Sequence, residues 1–157
     1  LGPETLVLFA VQTSLTKLLE LKGSGVVGLA PEATVKEAAD VMRDAKIGAL
    51  LVMRGDKLQG ILTERDILNK IVAEGLDAST VRIHEIMTVD VIVIGPNRTV
   101  REAMKVVTEK RLRHLPIVQD GKLIGMLSGG DLTRSIVAEE EDVIETLYDY
   151  INGAYPG

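Results

Sequence analysis

Two tetrapeptides carry the residue types from which a site could be built. Thr63-Glu-Arg-Asp66 and Ser128-Gly-Gly-Asp131 each set a hydroxyl and a carboxylate three residues apart. At the start of a helix such a pair caps free backbone N–H groups. It can equally hold a polar ligand, because a carboxylate accepts from two hydroxyls and a helix N-terminus offers N–H groups to an anion. Arg113 and His114 stand side by side, a guanidinium and an imidazole that can each donate to an anion or simply face solvent. Other chemistry is absent from the sequence. There is no cysteine, hence no thiolate nucleophile, thiolate metal site or disulfide. His84 and His114, the two histidines, lack zinc-ligand spacing. Gly23-Ser24-Gly25 reads as a flexible turn, since no Lys-[Ser/Thr] follows to make a phosphate loop. No hydroxyl nucleophile stands with a base and an orienting acid, so the chain is not expected to be an enzyme.

Composition narrows the partners. The 157 residues carry a net charge of −5 and only one Phe, three Tyr and no Trp. A nucleic-acid binder needs a basic face, and single-stranded targets need aromatic platforms, so neither is expected. No apolar run approaches the roughly 18–20 residues that span a bilayer; Leu6–Val11 is far too short. A cytoplasmic location is expected, or an organelle stroma or matrix in a eukaryote. Residues 1–13 are expected to be an N-terminal segment that is partly foreign or truncated, since the chain opens on Leu1.

The elements that must position the two tetrapeptides come from an internal repeat. Pro31–Glu74 aligns without a gap on Pro96–Glu139, an offset of 65, with 16 of the 44 pairs identical. Each copy opens with a short apolar run, Val26–Leu29 or Val91–Ile94, ending near a proline. A capping box follows, Thr34-Val-Lys-Glu37 or Thr99-Val-Arg-Glu102, then apolar residues at helical spacing. Ala49–Met53 and Leu115–Val118 read as buried strands, and Leu58–Leu62 and Leu123–Leu127 as their hairpin partners. A second helix starts after Thr63 or Ser128 and is expected to reach about Glu74 or Glu139. Ser14–Lys22 predicts a leading helix, Ile83–Met87 a short helical turn, and Val143, Leu147 and Ile151 a C-terminal helix running toward Asn152-Gly153. Glu139–Asp142 reads as a solvated stretch. The predicted fold is α/β (α+β): two pseudo-symmetric β-α-β-β-α repeats, 14–76 and 77–140, packed as one module, with a helical extension over 141–157. Neither repeat alone has enough sheet and helix to cover its apolar faces.

The pattern ATVKEAADVM, IGALLV and GILTERDIL, answered by TVREAMKVV, RLRHLPIV and GMLSGGDL, resembles the cystathionine-β-synthase (CBS) domain. The resemblance covers about Ser14–Glu139 as a tandem pair, the Bateman-type module. It implies a pseudo-symmetric disc, often a homodimer, with two clefts that take adenosyl compounds: AMP, ADP or ATP first, with Mg²⁺ accompanying ATP, and NAD(H) or S-adenosylmethionine as the alternative. In such clefts the aspartate accepts from ribose hydroxyls, the Ser or Thr contacts ribose or phosphate, and the other copy completes the site.

Carried over residue by residue, one cleft combines Thr63 and Asp66 with Arg113, His114 and Pro116, and surrounds the base with Ile61, Val91, Ile92 and Leu112. The other combines Ser128, Gly129, Gly130 and Asp131 with Ile47, Gly48 and Ala49, and covers the base with Val26, Val27 and Met126. The second cleft has Gly48 and Ala49 where the first has Arg113 and His114, so it is expected to bind more weakly or to prefer less phosphate charge. The resemblance thus implies a regulatory nucleotide binder acting on an unnamed regulated protein. A dimerisation module with vestigial clefts is the competing reading.

Overall fold

Of the two predicted capping boxes, the one at Thr34 and Glu37 closes in both directions. Thr34 Oγ1 accepts from the Glu37 amide and the Glu37 carboxylate accepts from the Thr34 amide. Thr99 Oγ1 accepts from the Glu102 amide, but the predicted return bond does not form: the Glu102 carboxylate instead accepts from Arg98 and from the Thr99 hydroxyl. The helices they start bury Val35, Ala38 and Met42 in one copy and Val100, Ala103 and Val107 in the other, the face that the spacing predicts. Both close on a left-handed residue, Lys46 and Arg111.

The computed structural model describes residues 13–22 and 26–151. The expectations for residues 1–12, for Gly23-Ser24-Gly25 and for Asn152-Gly153 lie outside the described residues. In chain order the elements are α1 (Leu15–Lys22), β1 (Gly28–Leu29), α2 (Val35–Ala45), β2 (Ala49–Arg54), β3 (Lys57–Thr63) and α3 (Glu64–Ile67). After a π-helical turn (Leu68–Val72) and a 3-10 turn (Ile83–Glu85) come α4 (Val100–Lys110), β4 (His114–Gln119), β5 (Lys122–Ser128) and α5 (Gly129–Ile151). No helix among the described residues is long and apolar enough to cross a membrane.

Two compact units form, and their boundaries differ from those of the repeats. Among the described residues the first takes in 13–22, 94–117 and 126–151, and the second 26–93 and 118–125. The segments leading into each repeat explain the exchange. Leu15 donates its amide to Arg98 O, Thr16 its hydroxyl to Pro96 O, and Val100 its amide to Thr13 O, so α1 joins the second copy's helix. Conversely, Ile83 donates to Ala33 O and Val35 to Val81 O, which joins the linker to the first copy. The hairpin tip 118–125 meets the first copy's own turn, with Leu123 N donating to Asp56 O and Lys122 paired to Asp56 at 3.7 Å.

In the second unit β1 pairs parallel with β2, and β2 antiparallel with β3. The core beneath is aliphatic: Val35, Leu50, Val52, Leu62 and Ile83 are fully buried. In the first unit Leu15, Leu115, Ile117, Leu127 and Leu132 are fully buried.

Besides the one-way cap at Thr99, four expectations need correction. The apolar run Val91–Ile94 forms a single bridge, Ile94 to Ile117, where a strand was predicted. Leu51 donates its amide to Val27 O in the first copy, but its counterpart Pro116 has no N–H to give, so the ladder stops short. The helix after Thr63 is α-helical only to Ile67; Ala73 N then bonds Leu68 O, a π turn that carries Ile71 into the core. The helix after Ser128 does not end near Glu139 but runs unbroken to Ile151, absorbing the predicted separate extension. Gly75, left-handed at φ 67°, ends the first copy's helix, and its counterpart is Glu140, a good helix former. Finally, Glu139 is buried while Glu140, Glu141 and Asp142 are exposed, because Glu139 follows fully buried Leu132 by seven residues on one helix face.

Candidate functional site

Each hydroxyl-x-x-Asp tetrapeptide sits where a hairpin strand turns into a helix. The first helical amide is fixed by the strand that opens the hairpin: Glu64 N donates to Gly48 O at 3.0 Å, and Gly129 N to Arg113 O at 2.9 Å. The helix N-terminus is thereby held beside the first residues of that hairpin in both copies.

Both tetrapeptides are reciprocal caps, so the bland reading of them holds in full. Asp66 N donates to Thr63 Oγ1 at 3.2 Å, while Thr63 N and Thr63 Oγ1 donate to Asp66 Oδ2 at 3.0 and 3.1 Å. Asp131 N donates to Ser128 Oγ at 3.0 Å, and Ser128 N to Asp131 Oδ2 at 2.8 Å. Both carboxylates are largely enclosed, each with 13% of its side chain exposed.

Each aspartate also faces cations that the tetrapeptides do not contain. Lys70 reaches Asp66 Oδ1 at 3.1 Å and also donates to Ile86 O. Lys22, at the end of α1, reaches Asp131 Oδ2 at 2.5 Å and Met126 O at 3.0 Å. Arg134 takes Asp131 Oδ1 at 2.7 Å. Burial by itself would raise the Asp131 carboxyl, but hydrogen bonds from Lys22 and Ser128 outweigh it and hold the group below its usual range. Lys22 and Arg134 both lie on Asp131, cations that the exchange of Arg113 and His114 for Gly48 and Ala49 does not reveal.

The remaining expected residues fall into two sets. Ile61, Thr63, Asp66, Val91 and Ile92 belong to the second unit, as do Val26, Val27, Ile47, Gly48 and Ala49. Leu112, Arg113, His114 and Pro116 belong to the first, with Met126, Ser128, Gly129, Gly130 and Asp131. The residues expected to pair across the repeats thus fall in different units. Within the second unit, Val91 lines an open groove of about 350 Å³ with Val89, Val93 and Leu58. Ile47 lines another of about 410 Å³ with Arg43, Lys46 and Glu64. Ala49 and Pro116 are buried, Arg113 and Gly130 exposed, and the others half-buried.

A reciprocal exchange of size marks the two hairpins. Gly48 leaves room that the Glu64 carboxylate fills, Oε1 lying 3.0 Å from where a Cβ would stand. In the other copy the large residue is Arg113 and the small one Gly129. The Glu64 carboxylate thus stands over Gly48 in one copy, whereas the other copy has arginine at the position of Gly48 and glycine at that of Glu64.

Comparison with known proteins agrees with the repeat. The family model described as CBS domain matches residues 22–73 and 83–138. A mitochondrial CBS domain-containing protein of Arabidopsis thaliana, CBSX3, is 34% identical over 152 residues, covering 91% of this chain and 74% of its own. The crystal structure of the CBS domain NE2398 superposes with a TM-score of 0.76 at 41% identity, covering 80% of this chain and 98% of its own. The CBS domain protein PAE2072 of Pyrobaculum aerophilum, solved in complex with AMP, superposes with a TM-score of 0.71 at 26% identity, over 80% of this chain and 96% of its own.

Proposed function

This chain belongs to the CBS-domain family as a tandem pair, and from that premise we propose that it is a non-catalytic regulatory module that binds an adenine nucleotide: AMP, ADP or ATP. The observation that carries the proposal is the repeated pair of enclosed carboxylates, Asp66 and Asp131, each fixed at a helix N-terminus by its own Thr63 or Ser128. A ribose diol needs such an acceptor, and a phosphate favours the adjoining helix dipole. AMP in the PAE2072 relative supports the choice of ligand class.

In the crossed arrangement, Asp66 and Thr63 take ribose while Arg113 and His114 take phosphate. The other proposed half-site takes Asp131 and Ser128, with Gly48 as the resemblance implies. Nucleotide held in these clefts would favour one arrangement of the module, and the regulated protein would read that arrangement; the shift is bounded by the ligand's preference between the two states. Exposed Ile144 and Ile151 on α5 fit association with a second copy. Native mass spectrometry of freshly purified protein tests both points. Nucleotide-mass adducts on a dimer are expected, whereas a bare monomer that takes up no AMP at millimolar concentration would refute the proposal.

A further inference from the structure

Asp131 is more heavily engaged than a helix cap requires. A carboxylate has about four lone-pair positions. On Oδ2 two are taken, by the Ser128 amide and the Lys22 ammonium; on Oδ1 one is taken, by Arg134. A vicinal diol bridging the two oxygens needs a free position on each. Oδ1 has one and Oδ2 has none. The Ser128 amide is part of the cap and stays, so Lys22 is the group that must leave.

Lys22 is also placed to leave without disturbing the core. Its side chain is 38% exposed, and it comes from a separate helix, 109 residues distant in sequence. That helix is anchored at its other end by buried Leu15 and the bonds of Leu15 and Thr16 to Arg98 and Pro96. Two cations share one carboxylate, so the displaced ammonium calls for a second anion. A phosphate on the same ribose supplies it.

We infer that Lys22 is a further ligand-contacting residue of the Asp131 half-site: it occupies the acceptor a ribose diol takes and passes to the ligand's phosphate when the diol binds. The inference rests on the nucleotide reading above. It makes this half-site selective for a phosphorylated nucleoside over a plain one, the reverse of what Gly48 and Ala49 alone imply. Loss of Lys22 frees the acceptor for an uncharged diol while removing the phosphate partner.

Titration calorimetry with AMP and with adenosine, on the full chain and on Lys22→Met, Lys22→Arg and Asp131→Asn, tests this. Circular dichroism melts check that each variant is folded. Lys22→Met is expected to shrink the preference for AMP over adenosine at the Asp131-dependent site about tenfold, as loss of one charge-assisted hydrogen bond implies, and Lys22→Arg to keep most of it. If Asp131→Asn abolishes one AMP site while Lys22→Met leaves the ratio unchanged, the role of Lys22 is refuted and the nucleotide reading stands. If AMP binds but Asp131→Asn removes no site, the inference also fails. Wild type binding neither compound would overturn the nucleotide reading and this inference together.

Discussion

Replacing Gly60 by Ala tests how the segment that carries Val91 and Ile92 is held against the motif strand. Ile61 and Thr88 exchange two backbone hydrogen bonds of 3.0 Å each, pinning the start of that segment to β3. The approach is so close that a Cβ on Gly60 would lie 2.7 Å from Met87 Sδ and 2.8 Å from Thr88 O. The thioether can swing away, but the carbonyl is fixed by the bonds on either side of it. Overpacking of this kind typically costs about 1–3 kcal/mol. Against it stands the gain of about 0.4–1 kcal/mol from restricting the unfolded chain, since Gly60 has no left-handed backbone angle. The net loss centres on about 1.3 kcal/mol, a fall of roughly 3–5 °C in Tm for a chain of this length. Gly95→Ala is the matched control: no atom lies within 4 Å of its added Cβ, and it should melt at or slightly above wild type. Thermal melts by circular dichroism decide the matter. A Gly60→Ala protein as stable as Gly95→Ala would show that the contact between β3 and Thr88 is not as described.

Two further predictions follow from the charges. Arg113 is exposed and forms no ion pair among the described residues, so Arg113→Met should leave Tm unchanged and weaken AMP about tenfold while shifting adenosine less than twofold, as read by calorimetry. Asp131 holds its proton less tightly folded than unfolded, so its contribution is full above the ordinary aspartate value of 3.8 and is lost as pH falls through the lower folded value. Urea midpoints measured down to about pH 2.5 should therefore drop less steeply in Asp131→Asn than in wild type, and parallel curves would contradict the assignment.

The sequence made the repeated architecture legible because its signals are local. Thr34, Glu37 and the spacing of Val35, Ala38 and Met42 lie within one helix, and the hairpin strands are short apolar runs beside turn residues. Pairings between distant segments were not legible. Lys22 lies before the aligned part of the repeat, and no pattern links it to Asp131; its position depends on α1 joining the second copy through Arg98 and Pro96. The shortened strand at Ile94 could have been anticipated, because Pro116 stands where Leu51 donates its amide. The continuous α5 could have been anticipated too, since Glu140 replaces the glycine that ends the first copy's helix. The Glu64 carboxylate over Gly48 was visible only once the hairpin register brought the two together.

The central claim, that the enclosed aspartates are ribose acceptors as well as caps, is tested most directly by calorimetric titration of AMP into wild type, Asp66→Asn, Asp131→Asn and the double variant. Asparagine keeps the shape and one acceptor oxygen but loses the charge. Wild type should bind saturably, each single variant should lose one site, and the double variant, its fold verified by circular dichroism, should not bind. Binding that survives in the double variant with unchanged affinity would contradict the claim.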